Sequence, residues 1–110
     1  MIADLDSLQS RITEVGEHLA AISGDASLCT MSRSGRPAPA VKYHEGQWAA
    51  LREVAKRTRA GGELHAEAVA ARDRWAAELT RLTERGAGRD WISYRTGGVD
   101  ALDELLSASA

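Results

Sequence analysis

Met1, Leu5, Leu8, Ile12, Val15, Leu19 and Ile22 follow one another at alternating steps of four and three residues. Apolar side chains at that rhythm return to the same side of an α-helix, so they make one continuous stripe that water leaves uncovered only at a cost. In heptad terms Leu5, Ile12 and Leu19 take the a positions, and Met1, Leu8, Val15 and Ile22 take the d positions. Asp6, Ser7, Ser10, Arg11, Glu14 and Glu17 fill the other faces. The pattern predicts a helix over residues 2–22.

A stripe of this kind zips either to its own copy or to other helices. The flanking residues argue against a parallel homodimeric zipper. Asp4, Arg11 and His18 hold the g positions and Ile2, Gln9 and Gly16 the e positions. Parallel pairing sets Asp4 near Gln9 and Arg11 near Gly16, with no opposite charges matched. The seam is also short for an isolated coiled coil. Burial against other helices, within the chain or in a dimer, is the expectation.

The rest of the chain is helical in character as well. Ala, Leu, Arg and Glu are abundant and Phe is absent, a composition that loses little side-chain freedom in helices. A second helix is expected from Pro39, a residue suited to a first turn, to about Ala60. Val41, His44, Trp48, Leu51 and Ala55 share its apolar face, and Gly46 would admit a neighbouring backbone. Gly61-Gly62 breaks it, and a third helix runs from Glu63 to about Arg85 with Leu64, Ala68, Ala71, Trp75, Leu79 and Leu82 on one side. A two-glycine link forces these two helices, residues 40–85 together, into an antiparallel hairpin. Gly86-Ala87-Gly88 ends the third.

Two segments read less regularly. Residues 23–39 form a linker, with Gly24 suited to a left-handed cap of the first helix and Leu28, Cys29 and Met31 able to tuck onto the bundle. Residues 90–107 read as two short helices. The first is capped by Asp90, Thr96-Gly97-Gly98 is a turn, and Val99, Leu102, Leu105 and Leu106 then form the apolar side of the second. The fold class is therefore all-α: a long N-terminal helix packing on a helical hairpin as a three-helix bundle, with short C-terminal helices, all in one domain of 110 residues.

Charge is distributed unevenly. Asp4, Asp6, Glu14 and Glu17 oppose Arg11 alone in the first helix, and Asp100, Asp103 and Glu104 make the C-terminal end acidic. The middle is basic, with Arg33, Arg36, Lys42, Arg52, Lys56, Arg57 and Arg59. Attraction between acidic ends and basic middle is the simplest consequence. A net charge of −2 gives no global pull toward nucleic acid or anionic lipid. Cys29 is the single cysteine, so no intrachain disulfide forms, which suits a reducing compartment. No basic-then-apolar signal opens the chain and no apolar run reaches bilayer length. The expected location is cytoplasmic, with no membrane contact.

Candidate chemistry is sparse. His18, His44 and His65 lie on three separate helices, with no pair at metal-ligand spacing, and no metal site or cofactor is expected. Cys29 lacks a neighbourhood that would activate it, beyond Arg33 four residues on. There is no phosphate loop, nucleophile elbow or paired-carboxylate motif, so no enzymatic activity is expected. Arg52, Lys56 and Arg59 share a helical face beside Arg57, a pattern that can follow phosphates but is also what a helix C-terminus favours electrostatically. Leu5, Ile12, Leu19, Trp48, Trp75 and Trp91 are the residues expected to pack or to bury a partner. The preferred function is a non-enzymatic helical interaction module, binding a protein partner or its own copy. The alternative is a nucleic-acid-binding regulator using Arg52, Lys56, Arg57 and Arg59.

Overall fold

The computed structural model describes residues 4–25 and 39–107. It contains four α-helices: α1 (Leu5–Asp25), α2 (Pro39–Arg59), α3 (Leu64–Glu84) and α4 (Arg89–Ser107), with no strand among the described residues. The expectation for residues 26–38, with Cys29 in them, lies outside the described residues.

Local chemistry sets the ends of these helices. Asp4 Oδ1 accepts from the Ser7 backbone N–H at 2.8 Å and starts α1. Glu63 caps α3 by accepting from the His65 and Ala66 backbone N–H groups. Two turns end in the same way. Gly61 N–H donates to Thr58 O and Gly62 N–H to Arg57 O, while Gly86 N–H donates to Thr83 O and Ala87 N–H to Leu82 O. Both are Schellman turns, and each puts a glycine at its left-handed position, Gly61 with φ +116° and Gly86 with φ +67°. The expected hairpin break at Gly61-Gly62 and stop at Gly86 are thus found, and a Glu53–Arg74 ion pair at 3.0 Å crosses the hairpin.

Two glycine readings need correcting. Gly24 does not cap α1, which continues through it to Asp25. More consequentially, Thr96-Gly97-Gly98 is not a turn: α4 is one 19-residue helix running through all three. Asp90 accordingly lies inside the first turn of that helix, and its Oδ1 is shielded without a partner.

The reason for the unbroken α4 is tertiary. A Cβ built on Gly97 would lie 2.8 Å from the Tyr43 carbonyl carbon, and one on Gly46 would lie 2.8 Å from the Tyr94 carbonyl carbon, with the oxygens closer still. A Cβ on Gly98 would run into the Trp75 ring. Glycine inside a helix costs about 1 kcal/mol relative to alanine. Here that loss is offset by backbone-to-backbone packing of α2 on α4 and of the Trp75 ring on α4. The expected close approach at Gly46 is therefore present, with α4 as the neighbour.

The core is contiguous. Leu8, Ile12 and Val15 of α1, Leu51 and Val54 of α2, Ala68, Ala71 and Trp75 of α3, and Val99, Leu102 and Leu105 of α4 belong to it. Leu8, Leu51 and Leu102 are fully buried, each worth about 1.5–3 kcal/mol relative to exposure. The C-terminal segment is thus a full structural element packed on both α2 and α3, while α1 lies chiefly against α2. The ion pairs do not follow the expected attraction of acidic ends for the basic middle: Arg11 reaches Glu104 at 3.3 Å, joining the two acidic ends, and Asp103 pairs at 2.8 Å with Arg72 of α3.

A candidate interaction groove between α1 and α2

Packing a heptad seam onto α2 leaves a hollow beside the contact. The d-position Leu8 and Val15 and the a-position Ile12 face inward and are buried, whereas Leu5 and Leu19 are half-buried. The small Ala49 and Ala55 of α2 line this hollow together with Ile12 of α1. Alanines do not fill the space between two helices. The result is a groove of about 500 Å³ in which the half-buried Ala49 is the apolar residue that reaches the opening, with Ile12 and Ala55 buried at its floor.

Its border is cationic. Arg52, Lys56 and Arg59 line it from α2, with Gln9 from α1. Arg59 is anchored by donating to Gln9 Oε1 at 2.5 Å. The Arg52 guanidinium lies 4.3 Å from the centre of the Trp48 ring, a cation–π contact. Glu53 is the acidic residue lining the groove, and Arg74 already holds it. Among the described residues, none of Arg52, Lys56, Arg57 and Arg59 is ion-paired with a carboxylate, whereas Arg11, Lys42, Arg72, Arg74 and Arg81 all are. Among the described residues seven cations lack a carboxylate partner, and four of them lie along α2, the others being Arg85, Arg89 and Arg95. Arg57 is exposed but does not line the groove.

The three tryptophans have different fates. Trp75 is buried, 5.3 Å from Tyr94 ring to ring, with the Arg95 guanidinium 4.5 Å from its ring centre. Trp48 is half-buried beside Gly16, where an added Cβ would come within 3.1 Å of the indole nitrogen. Trp91 is 63% exposed at the start of α4 and is the most open large apolar side chain described.

The histidines meet only in part. His18 of α1 and His44 of α2 stand edge to face, 4.6 Å between ring centres. They border a second hollow of about 230 Å³ with Arg11, Glu14 and Gln47. His44 Nδ1 pairs with Gln47 Oε1 at 2.8 Å, and Glu14 is held by Arg11 at 2.5 Å. His65 is exposed at the start of α3. Between it and His44 lies the remaining length of α2 to Arg59, about 22 Å at 1.5 Å per residue. Among the described residues no three His, Cys, Asp or Glu side chains are placed to hold a metal ion.

Elsewhere, the Tyr43 hydroxyl donates to Asp100 Oδ2 at 2.5 Å, tying α2 to α4. Burial first, and then the Asp100 carboxylate beside it, push this phenol up to about 12. No described helix is long and apolar enough to cross a membrane. Comparison with family models, with curated proteins and with solved structures returned no match.

Proposed function

We propose that this chain is a non-enzymatic helical module that binds another protein through exposed surface on α2 and α4. The observation that carries the reading is the groove beside the α1–α2 contact. It joins apolar surface to Arg52, Lys56 and Arg59, none of them paired with a carboxylate among the described residues. Arg11, Lys42, Arg72, Arg74 and Arg81 are paired within the chain, and of the described cations that are not, Arg52, Lys56 and Arg59 are the ones that line this groove. Trp91, 63% exposed, offers a second anchor of the kind that interfaces bury. Affinity would come from the apolar groove and the indole, and orientation from the cations. A reducing, cytoplasmic setting agrees with the single cysteine.

A second reading has its own support. Four exposed cations on one helix, Arg52, Lys56, Arg57 and Arg59, also suit a phosphate backbone. Two measurements separate the readings. Affinity purification from the native host with the wild-type chain, Arg52→Gln/Lys56→Gln and Trp91→Ala should retain a protein on the first that is depleted on a variant. Identical recovery on all three ends the interaction-module reading. Titration with duplex and single-stranded DNA at low salt should show no affinity, and binding that weakens steeply with salt favours the alternative.

A further inference from the structure

We infer that the α1–α2 groove receives an amphipathic acidic helix of a protein partner. The inference rests on the interaction-module reading and names the partner's chemistry at one of its surfaces. Charge selects the sign. Arg52, Lys56 and Arg59 border the groove and none is paired with a carboxylate among the described residues. The chain's own candidates are poor occupants. The segment joining α1 to α2 carries Arg33 and Arg36 and no acid between residues 26 and 38. Of the acidic residues on α4, Asp100, Asp103 and Glu104 are already engaged by Tyr43, Arg72 and Arg11.

Spacing selects the shape. Arg52, Lys56 and Arg59 stand at steps of four and three residues, about 6 and about 4.5 Å apart along the axis of α2. Carboxylates at i, i+4 and i+7 of a helix laid alongside repeat at the same intervals. An extended strand presents same-face groups about every 7 Å and loses register after one contact. The apolar strip of Ala49 and the aliphatic stems of Arg52 and Lys56, over the buried Ile12 and Ala55, then meets the partner's aliphatic residues, as in other helix-in-groove recognition.

The same features disfavour a nucleic acid. A duplex has no apolar face for that strip. It would also pass the outer face of α1, where Asp6, Glu14 and Glu17 are exposed. Those carboxylates repel a polyanion, whereas a helix narrow enough to lie between α1 and α2 avoids them.

The test uses the full chain, isotope-labelled, and a 14-residue helical peptide with leucines on one face and glutamates flanking them. A scrambled peptide of the same composition, a lysine-for-glutamate version and a 14-base-pair DNA duplex are the other arms. The acidic amphipathic peptide should bind at least ten-fold tighter than the scrambled and lysine versions. It should shift the resonances of Ile12, Ala49 and Ala55. Lys56→Gln, at an exposed residue, should weaken it several-fold, and Arg52→Gln/Lys56→Gln at least ten-fold with helicity unchanged. Equal binding of the scrambled peptide overturns the inference, as does tighter binding of the duplex in the groove. Shifts confined to the Trp91 end of α4 also overturn it while leaving the interaction-module reading intact. Absence of any peptide binding overturns it as well, and the purification experiment then judges the module reading separately.

Discussion

Two helix contacts in this molecule are built on opposite plans. Between α2 and α4, glycines at 46 and 97 let each backbone come against the other's carbonyl, at Tyr94 and Tyr43. Between α1 and α2, side chains of a heptad seam do the packing, Gly16 merely accommodates the Trp48 ring, and a groove is left open beside the contact. The first plan leaves no room for a side chain at either glycine, so little in it can adjust. The second is held by side chains that can shift, and it leaves polar and apolar surface for something else. Rigidity and availability are thus assigned to different pairs of helices that share α2.

The sharpest way to break this contrast is to add one methyl group to each contact. Gly97→Ala places a Cβ against the Tyr43 carbonyl, where only backbone movement relieves the overlap. Such overpacking should cost about 3 kcal/mol or more, lowering the melting temperature by roughly 15 °C for a chain of this size. Gly16→Ala meets a ring nitrogen at 3.1 Å instead. The indole needs to move only a few tenths of an ångström, and alanine returns about 1 kcal/mol of helix propensity, so the net change should stay below about 1 kcal/mol. Thermal unfolding of the pair reads this directly. Similar losses for both would show that the two contacts are not different in kind.

Removing a leucine sharpens the same comparison. Leu102 and Leu8 are both fully buried, and truncation to alanine should cost about 3 kcal/mol at each, within the usual range for buried leucines. The distribution of that loss should differ. α4 packs on both α2 and α3, so Leu102→Ala should lower amide-exchange protection across α2, α3 and α4 together. α1 lies chiefly on α2, so Leu8→Ala should release α1 first and leave protection in α3 and α4 near that of the wild type. Uniform loss of protection in Leu8→Ala would show that α1 is an integral part of one cooperative unit.

The contrast also explains what was legible beforehand. The α1 seam was readable because its periodicity is written locally in Leu8, Ile12 and Val15, whatever helix covers it. Gly61 and Gly86 were readable because a left-handed cap depends on neighbours a few residues away. Gly97 and Gly98 carry the same letters, yet they serve a partner surface some fifty residues earlier, at Tyr43, and the Trp75 ring. Nothing adjacent in sequence distinguishes a packing glycine from a turning one, so one helix was read as two. The α2 cations were visible as a helical face, but that Ile12 and Gln9 of α1 would border them was not. The meeting of His18 with His44 was hidden for the same reason. Trp48 and Trp75 both fall on apolar stripes in the sequence and Trp91 on none, but that Trp75 is buried while Trp48 stays half-buried is visible only in the packing.

A smaller effect probes the polar part of the α2–α4 contact. The folded phenol of Tyr43 lies at about 12, above its ordinary value of 10.0. Its hydrogen bond to Asp100 therefore contributes fully below pH 10 and is lost as the pH rises through about 12. Tyr43→Phe should lower stability by about 1 kcal/mol at neutral pH and flatten the stability curve between pH 10 and 12. Denaturant melts at pH 8, 10 and 11 would show the two proteins converging. A constant gap across that range would mean that the hydroxyl does not titrate with folding.

The smallest expected effects lie at the helix starts, and they fall on both sides of the comparison. Asp4 at α1 and Glu63 at α3 accept backbone N–H groups, from Ser7 and from Ala66 and His65, which holds both carboxyls below their ordinary values. Each contribution is therefore present above the unfolded carboxyl pKa and lost as the pH falls through the lower folded value. Both groups are fully solvent-exposed, so the global stability curve should barely register either substitution. Local readouts should separate them. Asp4→Asn keeps an oxygen for capping but removes the charge, and protection at the first turn of α1, relative to intrinsic exchange, should then cease to depend on pH between about 3 and 5, the ordinary carboxylate range. Glu63→Gln should do the same for the first turn of α3, yet with a smaller rise in exchange, because Ala68 and Ala71 anchor the next turns in the core. An equal response at both helix starts would mean that α1 is held as firmly at its beginning as α3, and the division between a rigid pair and an adjustable one would not extend to the helix ends.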